Sequence, residues 1–276
     1  MTRAFAPGHI TGFFAAVERD DALDTGSRGA GIVMEDGVTV EVEKSDKASV
    51  ALDGETVEFD AVERVLGMCD VTARVEIETD VPVGCGFGVS GASALAVALA
   101  VNEEFSLGQE REQMAAAAHV ADVLAGTGLG DVVPQSLGGV VTRIEPGAPE
   151  IGLFGEIEVE DPRVGYTVVG KLDTSDVLGD DEAMERVNKA GESALDGLLK
   201  SPSVEKLIDL SWEFALESGL ATERVQDEVG EVRSAGGKAS MAMLGETAFG
   251  VAGGNDEALG EFDAITEVCD EGAKVL

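Results

Sequence analysis

Cations are scarce in this chain. Among 276 residues, 19 lysines and arginines face 54 aspartates and glutamates, giving a formal net charge of −35. Such a balance repels nucleic acid and anionic membrane surfaces, so neither is an expected partner. Only two histidines are present, His9 and His119, which excludes a histidine-rich metal centre. The three cysteines, Cys69, Cys85 and Cys269, are odd in number and widely scattered, so neither a disulfide framework nor a CxxC metal site is indicated. No run of about 18 apolar residues occurs and the amino terminus lacks a charged region followed by an apolar one, so a cytoplasmic location is expected. Aromatics are 4% of residues, yet hydrophobic residues reach 44%, enough for a sizeable core in one large domain or two ordinary ones. The acids are spread along the whole chain, the pattern of a solvated surface adapted to high salt, where the Debye length shrinks to about 3 Å at 1 M. A salt-rich cytoplasm, as in a halophilic archaeon, is the expected setting.

What is abundant is glycine, at 36 residues. It is concentrated where chemistry is expected, in Pro82-Val-Gly-Cys-Gly-Phe-Gly-Val-Ser-Gly-Ala-Ser-Ala94. An alternating strand, with Val71, Ala73, Val75 and Ile77 on one face, leads into this loop. A helix over roughly Ser90 to Asn102, apolar almost all round and therefore central, leads out of it. Glycine tolerates positive φ and lets successive backbone N–H groups converge on an anion, and the helix N-terminus adds its own unsatisfied donors. The spacing predicts a phosphate cradle made by Pro82, Gly84, Gly86, Gly88, Val89, Ser90, Gly91 and Ala92. Ser90 could cap the helix or ligate magnesium, and a plain strand-to-helix turn is the alternative. The lysine of G-x-x-x-x-G-K-[ST] is missing. Gly86, Gly88 and Gly91 do fit G-x-G-x-x-G, with Glu103, Glu104 and Glu110 beyond. The first 80 residues disfavour that dinucleotide reading, because their short strands, broken by Asp36-Gly37 and Asp53-Gly54 as hairpin turns, do not alternate with helices.

Further along, the patterns predict a helix over about Gln109 to Leu124, ended by Gly126 and Gly128, then a strand over Gly139 to Glu145. Beyond Pro146-Gly-Ala-Pro149 come a strand near Val164 to Gly170 and helices over Asp180 to Lys200, Val204 to Ser218 and Thr222 to Val232. Strands at Lys238 to Leu244 and Thr247 to Ala252 and a helix at Asp256 to Cys269 complete an α+β chain with units at 1–150 and 151–276. Phosphoryl transfer to an alcohol needs a polyphosphate cradle, a cation on its oxygens, and a group to align or deprotonate the hydroxyl. Asp131, just past Gly128-Leu-Gly130, is placed for the last role, with a helix N-cap as its other reading. His119 reads as a core or capping histidine. Arg28, flanked by Ser27 and Gly29, suits bidentate binding of a carboxylate, with a surface ion pair as the alternative. Arg143 and His9 are weaker candidates for the same pocket.

Three segments in this order resemble the GHMP kinases. They are Ala6-Pro-Gly-His-Ile-Thr-Gly12, matching a Pro-Gly turn after the opening strand; Pro82 to Gly91, matching P-x-x-x-G-L-G-S-S-A; and the glycine-rich Ala235 to Gly245. The resemblance implies a GHMP kinase fold: an N-terminal domain like ribosomal protein S5 domain 2 and a ferredoxin-like C-terminal domain. It implies ATP and Mg²⁺ as cofactors, Asp131 facing the acceptor hydroxyl, and a metal held by Ser90 with Asp122, although Asp122 lies nearer Asp131 than such pairs usually do. Pro7 to Phe13, Gly26 to Gly31, Thr127 to Val132 and Met241 to Thr247 are most similar to the archaeal branch that phosphorylates the 4-hydroxyl of pantoate on the way to coenzyme A. The pantoate carboxylate is then the expected partner of Arg28, in a substrate site with Ser27 and the weaker candidates Arg143 and His9. A kinase of shikimate, homoserine or mevalonate, and a non-catalytic nucleotide-binding regulator, are the alternatives; a homodimer is one assembly this reading allows. Departures from the motif are Val89 and Gly91, which leave Ser90 as its one hydroxyl.

Overall fold

A computed structural model describes residues 1–171 and 181–276. Two long strands carry the amino-terminal half: β1 (Thr2–Val17) and β2 (Gly26–Lys44) run antiparallel along almost their full length. The pairing slips at Pro7/Gly8 and again at Thr11/Phe13. Here the structure corrects two expectations. Pro7-Gly8 lies inside one strand instead of forming a turn after it, and opposite it Glu35 and Asp36 bulge out of β2, so Asp36-Gly37 closes no hairpin. Bulges of this kind bend a strand and re-aim its side chains. Asp53-Gly54 does close a hairpin, between β3 (Ser49–Leu52) and β4 (Glu55–Thr56), with φ of 49° and 82°.

Along its length β2 changes neighbour. Val38 to Lys44 pair with β5 (Ala73–Thr79), while Gly29 to Ile32 pair with β6 (Val140–Glu145). With β7 (Leu153–Ile157) on β6 and β12 (Lys274–Val275) on β1, these strands form an eight-stranded sheet. A cut at residue 150 therefore falls between the paired strands β6 and β7. Four helices belong to this half: α1 (Asp60–Met68), α2 (Val89–Phe105), α3 (Arg111–Ala125) and α4 (Val132–Leu137). From Gly91 to Val101 every residue of α2 is buried, as an all-round apolar helix must be. The helix α1 has no counterpart in the sequence reading, where its nine residues lay between two strand patterns.

The remaining strands build a four-stranded antiparallel sheet in the order β11-β8-β10-β9, from β8 (Arg163–Gly170), β9 (Lys238–Ala242), β10 (Glu246–Val251) and β11 (Ala264–Glu267). Helices α5 (Asp181–Lys200), α6 (Val204–Ser218) and α7 (Glu223–Ser234) accompany it. The expected start of α5 at Asp180 lies outside the described residues. The helix expected over Asp256 to Cys269 is replaced by a 3-10 turn, Asp256–Glu261, and by β11. Its residues alternate in burial from Ile265 to Glu267, a period of two that suits a strand. Among the described residues no helix is long and apolar enough to cross a membrane.

Candidate active site

Three segments distant in sequence meet at the N-terminus of α2. The His9 N–H of β1 donates to Phe87 O in the glycine loop (3.0 Å), and Met243 N–H after β9 donates to Thr11 O (2.9 Å). The Thr247 hydroxyl of β10 donates to Cys85 O (2.7 Å), so the glycine loop is held from both sheets. Within the loop Gly84, Gly86 and Gly88 have φ of 78°, 90° and 63°, a left-handed run that side chains resist. A Cβ on Gly88 would also lie 3.1 Å from the Asp131 Cγ, so glycine lets the loop lie against that carboxylate. The first helical bond of α2 runs from Ala92 N–H to Gly88 O, which leaves the N–H groups of Val89, Ser90 and Gly91 ahead of it as the donors of a helix start.

A cavity of about 680 Å³ opens here. Of the residues expected at the site, Gly84, Gly86, Gly88, Val89, Ser90, Asp131, Ser27 and Arg143 line it. Pro82, Gly91, Ala92, Asp122, His9 and Arg28 do not. Asp131 stands at the N-cap of α4, yet its side chain makes no cap hydrogen bond. Instead its Oδ1 lies 2.7 Å from His9 Nδ1 and accepts from the Thr11 hydroxyl at 3.3 Å. Burial by itself would raise the Asp131 carboxyl, but the His9 hydrogen bond and the Arg143 charge outweigh it and hold the group below its ordinary 3.8. A carboxylate so held is ionised at neutral pH and can accept a proton from a hydroxyl placed against it.

Arg143, on β6, is 2% exposed, and its Nε and Nη1 have no hydrogen-bond partner among the described residues. Burial pushes its guanidinium down to about 10, opposed by the attraction of Asp131. The residue lines the cavity, and a buried cation with idle donors is a ready receptor for an anion. Arg28, ranked ahead of it from sequence, is spent elsewhere: it donates to Ile144 O at 2.8 Å and pairs with Glu192 of α5. His119 is a core residue, 1% exposed, with Nε2 2.9 Å from Thr25 O.

Behind the loop, Ser90 Oγ lies 2.8 Å from both Asp122 Oδ1 and Thr127 Oγ1, with one proton to donate between them, and Thr127 Oγ1 is 2.7 Å from the same Asp122 Oδ1. A Cβ on Gly128 would strike Asp122 Oδ2 at 2.1 Å, which explains glycine there. Burial pushes the Asp122 carboxyl up to about 6. Among the described residues no group of three His, Cys, Asp or Glu could hold a metal ion. One carboxylate flanked by two hydroxyls is nevertheless an all-oxygen set of the kind Mg²⁺ takes when substrate phosphates complete its shell.

Thr11, Thr127 and Lys171 also line the cavity, and sequence reasoning missed all three. Thr127 carried a signal, since it lies in the glycine-rich turn ahead of Asp131. Lys171 carried none: it reaches the loop only because β8 ends there, its side chain 3.7 Å from where a Cβ on Gly84 would stand.

A left-handed glycine loop at a helix start, an oxygen-rich niche and an ionised aspartate standing together are the parts a small-molecule phosphotransferase needs. The family of GHMP kinases N terminal domains matches residues 56–139. The chain is 38% identical to pantoate kinase from Methanocaldococcus jannaschii over 251 residues, 89% of this chain and 90% of that one. It is 34% identical to pantoate kinase from Thermococcus kodakarensis, over 90% of this chain and 87% of that one. A solved structure described as a phosphotransferase related to the CoA biosynthesis pathway superposes with a TM-score of 0.89 at 32% identity, covering 99% of this chain and 98% of the other. Homoserine kinase from Cytophaga hutchinsonii, at 17% identity, shares the fold with a TM-score of 0.71 over 100% and 97% of the two chains. The chain belongs to the GHMP kinases, in the family of the archaeal pantoate kinases.

Proposed function

We propose that this protein transfers the γ-phosphoryl group of ATP to the 4-hydroxyl of pantoate, giving 4-phosphopantoate on the way to coenzyme A. The observation that carries the choice of acceptor is Arg143. A buried guanidinium with unpartnered nitrogens lines the same cavity as Asp131, so an acid that also carries a hydroxyl can place its carboxylate on one and its alcohol on the other. Ser27, 4% exposed and on the cavity wall, adds a hydroxyl beside the guanidinium. Relatives named pantoate kinase over about nine-tenths of the chain support the same acceptor.

In this reading the N–H groups at the start of α2 and the left-handed glycines bind the polyphosphate, and Lys171 adds a positive charge at its edge. Asp131 takes the proton of the attacking hydroxyl. Ser90, Thr127 and Asp122 would hold Mg²⁺, which when bound neutralises charge on the phosphate oxygens. The division into a phosphate-loop unit, 1–150, and a C-terminal unit, 151–276, belongs to the same proposal, supported by a four-stranded sheet drawn wholly from the second span. A salt-rich cytoplasm is the proposed setting, supported by the net charge of −35. ADP release in molar KCl with Mg²⁺, measured for pantoate, shikimate, homoserine and mevalonate in turn, tests the assignment. Turnover with pantoate at least tenfold above the others is expected; equal or greater turnover with another acceptor overturns it.

A further inference from the structure

His9 is fully buried in β1 and does not reach the cavity, so it cannot touch the substrate directly. Its Nδ1 lies 2.7 Å from Asp131 Oδ1. A carboxylate only accepts, so the proton of this bond belongs to Nδ1. The ring's other nitrogen meets nothing: Nε2 is buried without a partner, and a Cβ on Gly31 would come within 2.3 Å of it. The charged groups that face the ring are Asp131 and Arg143, and the second disfavours another proton on it. Thr11, on the same strand, brings its hydroxyl to the same Asp131 oxygen at 3.3 Å. Both bonds therefore end on Oδ1, and among the described residues none reaches Oδ2. The terminal torsion of an aspartate is broad, so an unanchored carboxylate would sample many orientations against a hydroxyl.

We infer that His9, as the neutral Nδ1–H tautomer, is a positioning residue that with Thr11 anchors Asp131 through Oδ1 and turns Oδ2 to the acceptor hydroxyl, and that glycine at position 31 keeps the space the ring needs. The inference rests on the reading of Asp131 as the base. In the transfer, the acceptor oxygen bonds to the γ-phosphorus, the bond from that phosphorus to the β–γ bridging oxygen breaks, and ADP leaves with the electron pair. The hydroxyl proton goes to Asp131 Oδ2. His9 keeps its own proton throughout, because its buried Nε2 has no group to exchange with.

Two measurements test this. With two histidines in the chain, a ¹⁵N-histidine spectrum holds two rings. His119 donates from Nε2 to a carbonyl, so the rings should be opposite tautomers at neutral pH in molar KCl, Nδ1–H at His9 and Nε2–H at His119, with His9→Phe assigning them. An Nε2–H or doubly protonated His9 overturns the inference. In kinetics, His9→Phe should lower kcat about 10²-fold or more with both KM values within about threefold, and His9→Asn, whose amide N–H can stand at the Nδ1 place, should recover about tenfold. A raised pantoate KM at unchanged kcat, or wild-type kcat in His9→Phe, overturns it. If His9→Phe does not fold, the wild-type spectrum, assigned through His119→Gln, and the kinetics of His9→Asn decide. The two readings fail separately: inactive Asp131→Asn beside fully active His9→Phe sinks only the role of His9, whereas active Asp131→Asn removes the base assignment and the positioning role with it.

Discussion

Replacing Arg143 with methionine should make the ligand-free protein more stable and the enzyme worse. The guanidinium is 2% exposed and held down from 12.5 to about 10, so keeping it charged in the folded chain costs about 3 kcal/mol. A folded value below the unfolded one is a penalty present at every pH under about 10, and it fades only above that. Methionine keeps most of the apolar bulk and removes the charge. That cost is net of the attraction to Asp131, so after the lost packing is subtracted roughly 1–2 kcal/mol of added stability should remain. The proposed carboxylate contact moves the other way: hydrogen bonds to charged groups contribute about 1.5–3 kcal/mol each, so the pantoate KM should rise about 10²-fold or more. The KM for ATP should change less than about threefold. Urea denaturation at fixed molar KCl, followed by the fluorescence of Trp212, the single tryptophan, gives the first number. Initial rates against each substrate give the second. A variant that is less stable and binds pantoate as before would refute both the burial argument and the assignment.

Asp131→Asn should cut kcat by about 10²–10⁴-fold with ATP affinity near wild type, and wild-type turnover would end its role as base. Both histidines are held below their ordinary 6.5, His119 by burial against its backbone hydrogen bonds. Such a group contributes stability present above about pH 6.5 and lost as pH falls toward the folded value, because the unfolded chain takes the proton first. His119→Gln, which retains a donor for Thr25 O, should therefore lose less stability than wild type between pH 7 and 5 in urea titrations; identical slopes would contradict it. Dialysis into dilute buffer should unfold the protein, and above the salt at which it folds the KM for ATP should fall as KCl rises toward 1 M, where about 3 Å of screening length quiets the acidic surface. Full structure without added salt would defeat that prediction.

The glycine loop between β5 and α2 was legible because its signals are local: glycines, a serine, an alternating strand before and an apolar helix after. The choice between Arg28 and Arg143 was not, because it depends on pairing between distant strands. In the sheet Gly29 lies opposite Arg143, and a strand turns successive residues to opposite faces. Ser27 and Arg143 therefore look into the cavity, Gly29 leaves space that the Phe13 carbonyl and the Arg143 guanidinium close in on, and Arg28 turns away toward α5. Glycine next to arginine looked like room for a ligand at Arg28; the room belongs to the arginine across the sheet. The shortage of hydroxyls beside Ser90 has a similar resolution. Thr127, 37 residues on, stands 2.8 Å from it and supplies the second one.

The charge balance gives these placements their weight. With 19 cations against 54 acids, each lysine or arginine at the cavity stands out from its background, and two of them, Arg143 and Lys171, are on its wall. In the proposed reading, most of the work of holding a polyphosphate falls instead on backbone N–H groups at the start of α2. Those dipoles are fixed by the fold and need no side-chain cation, whereas exposed ammonium groups would be screened and would exchange counterions in molar salt. A glycine loop without the P-loop lysine suits this setting. The buried Arg143 is shielded from the same screening by the protein around it, so selection of an acidic acceptor can persist at salt concentrations that would silence a surface arginine.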